Sequence, residues 1–125
     1  MSSNAQNLSF QKLQEKYIAN FSKHLNKMSL DLQNKSALGL AESLHKLKGN
    51  GQTYGFKEIS DIATLAHQHY KFQSSDFLKF AQIGVNLLQQ IYPLLLERRA
   101  IDLDSYPEYQ ELVKSNLPFQ EKGAS

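Results

Sequence analysis

The chain has 125 residues, 41% hydrophobic and 21% charged, a balance that fits one globular domain and excludes the disordered, fibrous and membrane-spanning classes. Its formal net charge of +2, with no basic run longer than Arg98-Arg99, is too mild to argue for a nucleic-acid partner. Cysteine is absent, which removes disulfides, thiolate metal sites and thiol catalysis together.

The segment Met1 to Asn7 is polar and lacks an apolar signal core, and no window offers the roughly 18 unbroken apolar residues of a membrane span. A cytoplasmic chain with no membrane partner is therefore expected. From Phe10 the apolar positions run Leu13, Tyr17, Phe21, Leu25, Met28 and Leu32, in steps of three and four that predict one helix over 9–32. Gln33-Asn34-Lys35-Ser36 reads as a connection, with Ser36 or Asn34 available to cap the next helix. That second helix turns Leu40, Ala41, Leu44 and Leu47 inward and is expected to end between Gln52 and Gly55.

Phe56 opens a third helix with Ile59, Ile62, Ala63, Ala66 and Tyr70 on one face. Ser74-Ser75-Asp76 is a helix start, because short oxygen-bearing side chains accept the orphan N–H groups of a first turn. The stripe that follows, Phe77, Phe80, Ala81, Gly84, Leu87, Leu88, Ile91 and Leu95, is the most regular in the chain, and Pro93 is expected to bend this fourth helix near its end. No sustained alternation competes as a strand. The expected fold is all-α: an antiparallel up-and-down four-helix bundle over 1–100. In the extension 101–125, Ser105-Tyr106-Pro107-Glu108 can cap a short fifth helix carrying Tyr109, Leu112 and Val113, while Pro118 to Ser125 reads as frayed. With each apolar stripe used once, a monomer is the simplest expectation.

One run breaks a local rule twice. His45-Lys46-Leu47-Lys48-Gly49-Asn50-Gly51 places two glycines inside a helix, each costing about 0.5–1 kcal/mol relative to alanine. Such a departure belongs where something must approach the backbone. One step of about 100° from Leu44 carries His45 to the edge of the core face, its ring exposed. Its helical neighbours are Glu42, Lys48, Gly49 and Gln52. A neutral imidazole is nucleophilic, and an adjacent ammonium balances an incoming phosphoryl group.

The segment His45-x-Leu47-Lys48-Gly49-x-Gly51-x-x-Tyr54-Gly55 resembles the signature of histidine-containing phosphotransfer domains, whose four-helix bundle exposes a histidine on its second helix. The resemblance extends over about 9–97 in the order and lengths of the helices. It implies that His45 is the phosphorylated residue, Lys48 its electrostatic neighbour and Gly49 the clearance for a partner, with Glu42 and Gln52 on the same docking face. Gly51 matches a position that is usually small, and Tyr54-Gly55 the residues that close the second helix. A polar amide on the third helix often stands near the histidine in such domains; Gln68 is the nearest candidate, with His67 and Lys71 beside it.

The resemblance further implies a phosphoryl carrier rather than an enzyme with turnover, passing phosphate between response-regulator receiver domains downstream of a hybrid sensor histidine kinase. No resident cofactor is expected, because Glu42 is the only acid within four positions of His45, so the divalent metal would come with the receiver. Met1 at the start favours a free-standing carrier over a kinase module. The competing reading is a helical adaptor that binds a receiver or kinase without being phosphorylated. A metal site from His67, His69 and His24 fits poorly, since residues two apart on a helix point about 200° away from each other.

Overall fold

The structure, a computed structural model, describes the backbone of residues 2–124 and the side chains of residues 8–120. The apolar stripes form helices α1 (Ser2–Gln33), α2 (Ala37–Thr53), α3 (Lys57–Lys71) and α4 (Phe77–Leu96), followed by a 3-10 turn (Leu103–Ser105), α5 (Pro107–Ser115) and α6 (Leu117–Ala124). No strand occurs among the described residues. Contacts run α1 to α2, α2 to α3, α3 to α4 and α4 back to α1, so the first four helices close a ring around one core. Phe21, Met28, Leu40, Leu44, Leu47, Ile59, Ile62, Leu87, Leu88 and Ile91 are fully buried there. Each such side chain contributes about 1.5–3 kcal/mol of transfer free energy.

Each of the helices α1 to α4 is followed by the same left-handed device. Lys35 (φ 54°), Gly55 (φ 84°), Gln73 (φ 57°) and Arg98 (φ 57°) each follow a helix C-terminus. In each, two N–H groups turn back onto carbonyls of the last turn, as Phe56 N to Gly51 O (2.8 Å) and Gly55 N to Gln52 O (3.0 Å). Only one of the four uses glycine, so the sequence advertised only one. Ser36 caps α2, its hydroxyl accepting from Gly39 N at 3.2 Å. The Asp76 side chain makes no capping bond; Ser74 Oγ accepts from Asp76 N instead, at 3.1 Å. Helix α4 continues through Pro93, whose ring faces solvent.

Helix α1 departs from its expected stripe. Phe10 and Leu13 are 43% and 51% exposed, and the buried face begins at Ile18. The cause is length: 32 residues span about 48 Å, against about 26 Å for the 17 of α2, so α1 outruns its neighbours. Near this end Gln14 Nε2 ties α1 to the turn after α2, donating to Tyr54 O at 2.9 Å.

The C-terminal region corrects the expectation of a frayed end. Residues 117–124 form α6, with Pro118 in its first turn, where the missing N–H costs nothing; Ser125 lies outside the described residues. Leu112 on α5 is fully buried in the same core cluster as the bundle. Asn116 Nδ2 donates to Leu65 O of α3 at 3.1 Å and to Leu112 O at 2.8 Å. Phe119 stacks on Phe72 with centroids 4.9 Å apart and meets His69 edge-on, also at 4.9 Å.

His69 is the hub of this junction, 2% exposed and stacked on Phe80 at 4.1 Å. Ser115 gives its hydroxyl hydrogen to Leu112 O at 2.7 Å, so it must accept from His69 Nε2–H, 2.8 Å away. That fixes the tautomer and leaves Nδ1 bare, buried and without a partner. Protonation would bury an unpaired N–H, and burial accordingly holds this imidazole below its ordinary 6.5, with Asp76 opposing in part. Because the folded value is depressed, the unfolded chain binds more protons, and the neutral ring's contribution to stability is present above about pH 6.5 and is lost as pH falls through the folded value. His24 and His67 are shifted in the same direction, first by burial. Thermal melts should therefore show a lower midpoint at pH 5 than at pH 7.5, and His69→Phe, which keeps the stack but cannot titrate, should reduce that difference.

Candidate functional site

The middle of α2 is set in register by α3. Helices α2 and α3 share the most extensive contact in the molecule. At its centre the Ser60 hydroxyl accepts from Gln52 N at 2.6 Å and lies 3.4 Å from Leu47 O. A Cβ on Gly51 would come within 2.9 Å of Ser60 Oγ and 3.0 Å of Ile59, so this glycine is required by the approach of the two helices. Tyr17 reaches across from α1, its hydroxyl donating to Asn50 Oδ1 at 2.7 Å and its ring stacking on Tyr54 at 4.8 Å. The C-terminal half of α2 is thereby held from both sides.

His45 stands on the open face of this rigid segment, exposed as expected. Glu42, Gly49 and Gln52 are also exposed, and Lys48 is half-buried. Leu38, two turns before His45 on the same face, is 60% exposed; the sequence reading passed it over because it stands outside the buried stripe. Gly49 differs from Gly51: a Cβ there meets nothing within 4 Å. No internal contact needs this glycine. Gly51→Ala should destabilise the bundle by about 1–3 kcal/mol through overpacking, whereas Gly49→Ala should stabilise it by about 0.5–1 kcal/mol. Urea unfolding of the two variants measures both signs.

On the neighbouring helix the residue that meets His45 is His67. Their ring centroids are 5.5 Å apart, inclined at 43°, and Tyr70 continues the surface with its ring 6.2 Å from His67. Gln68, the expected amide, is turned away: it lies against Lys71, Phe72, Asn116, Phe119 and Gln120 in the crevice beneath α6. One residue along a helix is about 100° of rotation, and the Gly51–Ser60 contact fixes the register that selects 67 over 68. His67 and His69 face opposite sides of α3, one toward His45 and one into the core.

The electrostatics of this face are cationic. Burial, Lys48, His45 and Lys71, in that order, push the His67 imidazole below its ordinary value. An anion entering between the two rings comes under the positive charge of Lys48 on α2 and of Lys71 on α3, whose ammonium lies over the Phe72 ring, while Glu42 is the single acid on the surrounding surface of α2. Among the described residues no group of three or more His, Cys, Asp or Glu side chains is disposed to hold a metal ion, and no helix is long and apolar enough to cross a membrane. The arrangement offers one exposed imidazole as a nucleophile, a second beside it and clear backbone one turn away. No family model matches the chain, and neither curated proteins nor solved structures supply a match.

Proposed function

We propose that this chain is a phosphoryl carrier of the histidine-containing phosphotransfer type, in which His45 accepts phosphate from the aspartate of one receiver domain and passes it to another. The observation that carries this reading is Gly49. A solvent-facing glycine in the interior of a well-formed helix lowers stability without any compensating contact inside the molecule, so its compensation belongs to something that docks outside. It stands one turn from an exposed histidine flanked by a cation, where a partner's acidic pocket would come closest.

The chemistry asked of the chain is modest. Phosphoryl transfer depends on in-line positioning and on charges that neutralise the equatorial oxygens. His45 provides the nitrogen lone pair and Lys48 one positive charge, while the receiver brings its own carboxylates and divalent metal. Glu42, Leu38 and Gln52 frame the docking face on α2, and the exposed ring of Tyr70 extends it onto α3. A carrier with these parts has no turnover of its own and takes its phosphate from a receiver fed by a hybrid sensor kinase. Incubation with a panel of phosphorylated receiver domains tests this directly. Acid-labile, base-stable label mapping to His45 is the expected result, and stable binding without label would favour the non-phosphorylated adaptor.

A further inference from the structure

We infer that His67 is a positioning residue that takes up a proton when His45 carries a phosphoryl group, so that the loaded carrier is held by a pair of adjacent rings rather than by one. The inference rests on the reading of His45 as phosphoryl acceptor and adds to it a coupling that an amide at the same place could not supply.

The geometry comes first. With ring centroids 5.5 Å apart, a phosphoryl group bonded to His45 brings its oxygens to about hydrogen-bonding range of the His67 ring. His67 is half-buried on α3, its ring lying beside those of His45 and Tyr70 with centroids 5.5 Å and 6.2 Å away. The charged and titratable groups acting on it are Lys48 and His45 from α2 and Lys71 from its own helix, where the Tyr70 ring also adjoins it. Burial first, and then these cationic neighbours, lower the free ring's affinity for a proton. A phosphoryl group adds about −1.5 to −2 charge within that cluster and reverses the sign of the local field. An imidazolium at position 67 would then donate a charge-assisted hydrogen bond to a phosphoryl oxygen, roughly twice as strong as a neutral one.

The transfer itself needs no extra reagent. The lone pair of a bare His45 ring nitrogen forms the N–P bond as the P–O bond to the receiver carboxylate breaks, and that electron pair stays on the carboxylate oxygen. The proton that reaches His67 comes from solvent and returns to it when the phosphoryl group leaves. By linkage, a ring that binds its proton more tightly in the loaded state favours that state on the acid side. The gain is complete below the titration point of the unloaded ring and vanishes as pH rises above that of the loaded one.

The test uses the full chain phosphorylated in two ways: by phosphoramidate, a small donor that modifies imidazoles without a partner, and by a phosphorylated receiver domain. Ring 1H–15N NMR follows the titration of His67 with and without phosphate on His45, which is expected to move to higher pH on loading. The equilibrium constant for loading from the receiver, as a ratio of wild type to His67→Gln, is expected to rise up to about tenfold for each pH unit of descent across the window between the two titration points. A His67 titration unmoved by phosphate, or a ratio independent of pH, overturns the coupling while leaving His45 as acceptor. Label accepted from phosphoramidate with the His67 shift, but from no receiver, overturns the relay and leaves the coupling standing.

Discussion

Replacing His45 with glutamine is expected to abolish phosphoryl acceptance from every receiver while leaving the unfolding free energy within about 0.5 kcal/mol of the native chain. Both halves follow from one placement. The ring is exposed, is not among the buried side chains of the core and makes no hydrogen bond among the described residues, so its loss opens no cavity and orphans no partner there. Glutamine is a good helix former on a solvent-facing position and lacks a nucleophilic nitrogen. Radiolabel transfer together with a urea melt reads the two outcomes at once. Label retained on a folded His45→Gln chain would move the acceptor elsewhere, and His67, the imidazole beside it on that face, would be the first to examine.

The selectivity of that result depends on α2 being positioned by features other than the histidine. Ser60 holds the Gln52 amide, Gly51 admits Ile59, and Tyr17 holds Asn50. Each acts on the buried side of α2 or at its end, one or more turns from His45. A rigid platform with an uncommitted nucleophile on its open face is what a carrier visited by more than one partner requires. A domain that moved to bind would have to reorder these contacts each time.

The sequence made the helices and the exposed histidine legible because both depend on local periodicity. Leu40, Leu44 and Leu47 mark the inward face of α2, and a fixed rotation per residue places His45 beside it. What depended on the relation between helices was not legible in the same way. Phe10 and Leu13 continue the apolar spacing of α1, yet nothing in the spacing states that α1 extends past its neighbours. The choice of His67 over Gln68 turns on a register set by one glycine and one serine nine positions apart, seen only when α3 lies on α2. Lys35, Gln73 and Arg98 adopt left-handed conformations that glycine would have announced. The stretch from Pro118 to Ser125 reads as frayed in the sequence, although the first turn of a helix tolerates proline and residues up to Ala124 continue as α6.

Leu112→Ala is the second large effect expected, a loss of about 2–5 kcal/mol of unfolding free energy, enough to threaten a domain of this size. Leu112 lies in an extension that the stripe pattern of the first four helices does not demand, yet it is fully buried with Ile62, Leu88 and Ile91 in a single cluster. Helix α5 packs on both α3 and α4, so removing three side-chain carbons leaves a void bounded by helices that are pinned elsewhere and free to collapse only in part. The polar side of the junction resists collapse as well, since Asn116 is tied to Leu65 O and Ser115 to His69. Leu117→Ala, at a position 55% exposed, is the matched control and should change stability by less than about 0.5 kcal/mol. Urea melts decide it: two variants of equal stability would mean that α5 rests on the bundle without sharing its core, and the acid sensitivity assigned to His69 would then have to be sought within the four-helix ring alone.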